Sequence, residues 1–213
     1  MEATAAQSRF HEILGTEEEL EAVLGKPNPR VLAKVIDSLD EICCAFIARS
    51  PFVLVASCDA AGRIDVSPKR DPPGFVRVLD GKTIAIPERP GNRRADTFRN
   101  VLQRPKVGLI FIVPGKGETL RVGGTARIVR DTWLRRLMAV GDRVPELALV
   151  VTIEEAFMHC TKCMVRSRMW QPDTWNPAGL ASLAEAGIVH AQLDVSVADL
   201  QASVEDDIRT RLY

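Results

Sequence analysis

The chain has 213 residues, 46% of them hydrophobic and 26% charged, with 28 basic and 28 acidic side chains. That length and composition suit one soluble globular domain with a substantial core, and the absence of net charge argues against a non-specific nucleic-acid binder or a polybasic membrane-surface protein. No apolar run reaches the roughly eighteen residues of a membrane span, and the opening MEATAAQSRF has neither the basic start nor the apolar core of a secretory leader.

Helices come first. Thr16-Glu-Glu-Glu19 has the spacing of a capping box, and Leu20, Val23 and Leu24 follow at helical intervals up to Gly25. Asn28-Pro29 sets an N-cap ahead of a proline at the first helical position, with Val31, Leu32, Val35, Ile36 and Leu39 as the buried stripe of a second helix. A third short helix is expected over 40–49, before Ser50-Pro51, so the first fifty residues read as helical.

From residue 52 the hydrophobic period drops to two. FVLVASC (Phe52–Cys58) is a strand, Asp59-Ala-Ala-Gly62 a turn, and 63–67 the returning strand. A second hairpin pairs 75–79 with 83–86 around Asp80-Gly81. Asn92 is placed to cap a helix with Ala95, Phe98, Val101 and Leu102 on one face, closing near Arg104-Pro105. Residues 107–113 form a continuous apolar strand and Pro114-Gly-Lys-Gly117 a turn. The strand over 120–129 then alternates, with Leu120, Val122, Ala126 and Ile128 on one face. Asp131 caps a short helix containing Trp133, Leu134, Leu137 and Met138, and 147–153 is the last strand. Residues 159–170 are helical or tightly turned. A final helix runs from Ser196, and its narrow stripe of Leu200, Val204, Ile208 and Leu212 suits packing across a dimer. About six hairpin-linked strands, one inserted helix, helices at both ends and no βαβ alternation predict a mainly β chain with flanking helices (α+β), built as a small antiparallel barrel.

Charge is segregated within this neutral chain. Residues 1–45 carry nine acids and four bases, and 183–213 carry six acids and two bases. Residues 63–106 carry eleven Lys and Arg against five acids. A cationic middle can receive the acidic ends, in the same subunit or a partner, or it can hold an anion. No P-loop and no G-x-G-x-x-G after a strand is present, so a nucleotide would have to be held by side-chain cations and a helix N-terminus. Arg89-Pro-Gly-Asn92-Arg93-Arg94 offers both. Its plain alternative is a solvated basic first turn, although cations at a helix start oppose the macrodipole at a cost of about 0.3–1 kcal/mol each.

Ser67-Pro-Lys69-Arg70-Asp71-Pro-Pro-Gly74 ends a strand in a rigid corner, ordinarily no more than a turn, from which Ser67 and Lys69 can present a donor and a cation to a planar, electron-rich ring. Cys160-Thr-Lys-Cys163 has redox or zinc spacing, but two further zinc ligands and a thioredoxin-like βαβ context are lacking. Cysteines 43, 44, 58, 160 and 163 form no disulfide framework, which makes a cytoplasmic location the expectation. Lys162, Arg166 and Trp170 share one helical face, with Arg168 beside them. They read either as cations closing a site or as a snorkelling helix around a buried Trp. With three histidines and no Ser–His–Asp or paired-carboxylate arrangement, any chemistry is expected to come from a cofactor.

The run VSPKRDPPGFVRVLDGKTIAIPERPGNRRADTFRNVLQRPKVGLIFIVPGKGETLRVGGTARI, followed by HCTKCMVRSRMW, resembles the pyridoxamine 5′-phosphate oxidase-like FMN-binding family, in particular bacterial FMN-binding members of this length, over residues 39–175. The resemblance implies a split β-barrel homodimer with FMN at the subunit interface. All of 1–213 would be one domain, with a helical segment over 1–50 and a helical extension over 177–213. It implies Arg89, Asn92, Arg93 and Arg94 near the FMN phosphate, Ser67 and Lys69 along the isoalloxazine, and Arg121 reaching in from the long strand. Lys162, Arg166, Arg168 and Trp170 would close the site, from the other subunit. The implied activity is an FMN-dependent oxidoreductase whose flavin N5 exchanges a hydride with a small substrate. A non-catalytic flavin carrier and a deazaflavin- or haem-using relative are the alternatives on the same fold. The chain departs from the family pattern where Arg70 replaces a glycine common among relatives. It also lacks a recognisable tryptophan- and arginine-rich C-terminal signature of true pyridoxamine phosphate oxidases, so family likeness and vitamin B6 oxidation are kept apart.

Overall fold

The computed structural model describes residues 9–213; residues 1–8, most of the stretch read above for a leader, lie outside them. The chain divides into two compact units, one ending at Val35 and one spanning Ile36–Tyr213.

In the first unit, α1 (Glu17–Leu24) starts with the expected capping box: Thr16 Oγ1 accepts from the Glu19 N–H at 3.2 Å, and the Glu19 carboxylate accepts from the Thr16 N–H. Asn28 Oδ1 accepts from the Arg30 N–H at 2.9 Å and opens α2 (Pro29–Ala33). That helix stops short of the expected stripe. Val31, Leu32 and Val35 are not buried but 51%, 58% and 40% exposed. The reason lies at Ile36, whose N–H and C=O exchange hydrogen bonds with Ala156 at 3.0 and 2.7 Å. A backbone bridged to a strand in this way is withdrawn from a helical ladder.

In the second unit, Asp40 Oδ1 accepts from the Cys43 N–H at 2.8 Å and starts α3 (Glu41–Arg49), which sinks Cys43, Phe46 and Ile47 into the core. Seven strands follow, one at each of the seven strand segments read in the sequence: β1 (Phe52–Cys58), β2 (Ile64–Arg70), β3 (Arg77–Asp80), β4 (Thr83–Pro87), β5 (Lys106–Ile112), β6 (Thr119–Val129) and β7 (Ala148–His159). Between them lie α4 (Asp96–Gln103) and α5 (Thr132–Leu137). Every pairing is antiparallel, in the order β2-β1-β5-β6-β7-β4-β3. The end strands β2 and β3 do not pair. Even so, Val53 and Val55 of β1 share one core with Ile84 and Ile86 of β4, together with Phe46, Phe98, Phe111 and Leu120. The sheet therefore curls around a single interior as a split β-barrel.

β6 and β7 form the spine. Gly123 stands opposite Glu155 and Gly124 opposite Ile153, which leaves Glu154 as an extra, bulged residue. Its carboxylate accepts from Lys106 Nζ and Thr125 Oγ1. A Cβ on Gly124 would come within 2.2 Å of the Thr152 carbonyl oxygen. Gly124→Ala is therefore expected to lower stability by about 1–3 kcal/mol or more, measured as a fall in the thermal midpoint. Gly108→Ala, which meets nothing within 4 Å, should leave that midpoint in place.

After β7 the chain forms α6 (Lys162–Arg166), α7 (Leu183–Ala191) and α8 (Val197–Arg211). α7 falls within the helical extension expected over 177–213 and carries a full capping box between Ser182 and Glu185. The stripe of α8 divides. Leu200 and Val204 are half-buried, and Leu200 Cδ2 lies 3.5 Å from where a Cβ on Gly187 of α7 would stand. Ile208 and Leu212 stay exposed. Among the described residues no helix is long and apolar enough to cross a membrane.

Candidate cofactor site

β2 alternates in the opposite sense to an ordinary half-buried strand. Its apolar residues Ile64 and Val66 are 76% and 55% exposed. Asp65, Ser67 and Lys69 are instead half-buried, opposite Ser57, Val55 and Val53 on the inner face of β1. Polar groups turned inward need partners or a ligand. α4 supplies some of the partners: Thr97 Oγ1 donates to Asp65 Oδ2 at 3.2 Å, and Asn100 Nδ2 donates to Ser57 Oγ at 3.0 Å. Lys69 Nζ sits 5.7 Å from the centroid of the Phe98 ring. Ser67 and Lys69 are left facing open space.

That space is a cavity of about 1240 Å³, bounded by the end of β2 and its corner, the loop 87–95, the start of α4, and parts of the C-terminal region. Ser67, Lys69, Arg89, Asn92, Arg93, Arg94 and Trp170 all line it. Arg121, Lys162, Arg166 and Arg168 do not. Arg121 is on the outer face of β6, its guanidinium 5.2 Å from the Phe157 ring. Lys162, Arg166 and Arg168 are exposed around α6. α6 ends at Arg166 and Arg168 has φ 50°, so Trp170 is reached through turns and not as the next step of the helix; its Nε1 donates to the Lys116 carbonyl at 2.6 Å.

The cationic loop also departs from expectation. Asn92 does not cap the helix; its Oδ1 accepts from the Arg94 N–H at 3.0 Å and closes a local turn. α4 begins four residues later, behind Ala95 in a left-handed conformation (φ 54°), with no side chain capping its first turn. Thr97 and Phe98 are buried, whereas Leu102, expected on the same face, is 77% exposed. Arg93 and Arg94 thus stand in the loop before the helix, Arg93 also at positive φ (61°).

Pairing reduces the apparent charge of the stretch. Arg89 Nε meets Asp71 Oδ2 at 2.6 Å and its Nη2 donates to the Met138 carbonyl at 3.0 Å. Arg94 meets Asp96 at 2.7 Å. With Arg63–Asp59, Lys82–Asp37 and Lys106–Glu154, five of the eleven cations between 63 and 106 are matched. Among the described residues the Arg93 guanidinium has no such acid. Burial pushes the Glu88 carboxyl above its ordinary value, with the charge of Lys69 pulling the other way. Glu88 and Asp71 line the cavity and were not singled out in the sequence. The signal for the polar face was the period of Asp65, Ser67 and Lys69, out of phase with Ile64 and Val66.

The fold is an open antiparallel split barrel with a corner between its first hairpin and an inserted helix. The family model for pyridoxamine 5′-phosphate oxidase matches residues 39–160, and the chain belongs to that family. Similar solved structures include HupZ of Group A Streptococcus, 22% identical with TM-score 0.47, the match covering 56% of this chain and 93% of that one. A candidate pyridoxamine 5′-phosphate oxidase of Lactobacillus delbrueckii is 24% identical with TM-score 0.47, over 57% of this chain and 95% of that one. An FMN-binding protein of Syntrophomonas wolfei is 11% identical with TM-score 0.43, over 66% and 96%. A comparison with curated proteins finds no match.

Proposed function

We propose that this cavity binds FMN and that the protein is a homodimeric, FMN-dependent oxidoreductase acting on a small molecule. The observation that carries the reading is the meeting, in one cavity, of an inward polar strand face with an unpaired cation at an uncapped helix start. Among the described residues the first-turn N–H groups of α4 have no capping side chain and Arg93 beside them has no acid; both suit a phosphate. Arg94 can add a second fork by leaving its exposed pair with Asp96. Arg89, held by Asp71 and Met138, braces the loop. Ser67 and Lys69 would lie along the ring, where the ammonium stabilises negative charge. Bound FMN supplies the two-electron chemistry. A volume of about 1240 Å³ exceeds an ordinary ligand pocket of about 300–1,000 Å³ and leaves room for a second small molecule. Glu88 is the carboxyl in the cavity best suited to hold a proton near it.

The outward face of the sheet supports the dimer. Pro68 of β2, Leu54 of β1 and Ile110 of β5 stand side by side in register, next to exposed Val66. Covering such a face with a second copy removes apolar surface from water.

The test is an absorption spectrum of protein purified without added cofactor, followed by addition of FMN. Flavin absorbance, quenched flavin fluorescence and a raised thermal midpoint are expected. A colourless protein that FMN neither stabilises nor quenches ends the reading. Bleaching of the loaded protein by NADH or NADPH separates an oxidoreductase from a flavin carrier.

A further inference from the structure

Asp71, Arg89 and Tyr213 come from distant parts of the chain and meet at one wall of the cavity. The Asp71 side chain is 2% exposed; its Oδ2 accepts from Arg89 Nε and its Oδ1 accepts from the Tyr213 hydroxyl, both at 2.6 Å. The Arg89 guanidinium lies 5.7 Å from the centroid of the Tyr213 ring, and Arg143 Nη1 donates to the Tyr213 carbonyl oxygen. Hydroxyl, ring face and backbone of one tyrosine are thus each held by a charged group.

The rest of α8 is held far less firmly. No residue of the helix is fully buried; Leu200 and Val204 are half-buried, Leu200 against Gly187 of α7. Further along, Ile208, Arg211 and Leu212 border the cavity. A helix with so little buried surface opens at low cost unless its end is tied. The tie is at Tyr213. Releasing it leaves the Asp71–Arg89 pair intact, so the wall keeps its shape when the helix moves.

We propose that α8 is a lid over the candidate cofactor cavity and that Tyr213, hydrogen-bonded to Asp71, is its latch, which must release for a ligand to enter or leave. The identity of that ligand as FMN rests on the reading above; the latch does not.

The test uses the full chain and FMN in rapid mixing. Tyr213→Phe keeps the ring and removes only the hydroxyl. Loss of one hydrogen bond to a carboxylate should raise the open fraction about tenfold. Association and dissociation of FMN both accelerate by about that factor, and Kd changes less than either rate. Tyr213→Ala, which also removes the ring contact, gives a larger acceleration. Rates identical to the parent in both variants overturn the lid. Binding of FMN by either variant but not by the parent upholds it, as a closure tight enough to block entry.

Should FMN bind none of the three proteins, the cofactor reading falls and the latch is decided without ligand. Tyr213 is the chain's one tyrosine, so tyrosinate absorbance reports it alone. The hydrogen bond to Asp71, then burial and the Asp71 charge, raise its pKa above the ordinary value, with Arg89 opposing; Arg143 is the other charged group at this residue. Asp71→Asn should bring the titration back down. Identical titration in parent and variant overturns the latch.

Discussion

Asp71→Ala is expected to lose about 3–5 kcal/mol of stability, the cost of removing one member of a buried ion pair. The side chains of Asp71 and Arg89 are 2% and 16% exposed, so little water is available to replace the carboxylate. Arg89 Nε and the Tyr213 hydroxyl both lose their acceptor. The measurement is the urea midpoint, with an unchanged slope showing that the folded state is still reached cooperatively. Adding Arg89→Met to Asp71→Ala should recover much of the loss, since it removes the stranded cation and keeps apolar volume. A double variant no more stable than the single would show that the damage is not the unpaired charge.

The second large effect concerns binding. Arg93→Ala combined with Arg94→Ala is expected to weaken FMN on the order of a hundredfold or more, since hydrogen bonds to charged groups contribute about 1.5–3 kcal/mol each. The stability of the ligand-free protein should hardly change. Both residues are exposed, and the Arg94–Asp96 pair is a solvent-screened surface pair. Calorimetric titration with FMN at two salt concentrations provides the check, because weakening with salt marks a cationic anchor. Unchanged FMN affinity with altered assembly would instead assign the cationic loop to docking the acidic segments of the chain.

The elements most fully legible in the sequence are those governed by local chemistry. The capping box at Thr16, the short third helix ending at Arg49 and the period of two through β1 and β6 each depend on a few neighbouring residues, and each appears where the sequence places it. Readings failed where distant groups decide. Ile36 leaves the helical pattern because Ala156 takes its backbone. Asn92 and Ala95 compete for the helix start, and the turn from Asn92 to Arg94 wins because it satisfies an N–H before the helix begins. For the site, composition located the cationic segment but not its pairing: Arg89 reads as a free anchor until Asp71, eighteen residues earlier, is folded against it. Tyr213 is the extreme instance, because its partner is 142 residues away and no local pattern marks it.

β2 has a further consequence, for solubility. It lies at the open end of the strand order, where an unpaired edge can template the addition of strands from other molecules. Its outward apolar side chains would make such stacking more favourable. Pro68 stands in the middle of that strand with no N–H to donate, and Lys69 and Arg70 follow with charge. The strand can present its broad face to one neighbour, but a ribbon growing along its edge would meet a gap in its hydrogen bonding at every copy. Pro68→Val, which restores the missing N–H, is thus a substitution that favours fibrous aggregation without disturbing the barrel's interior.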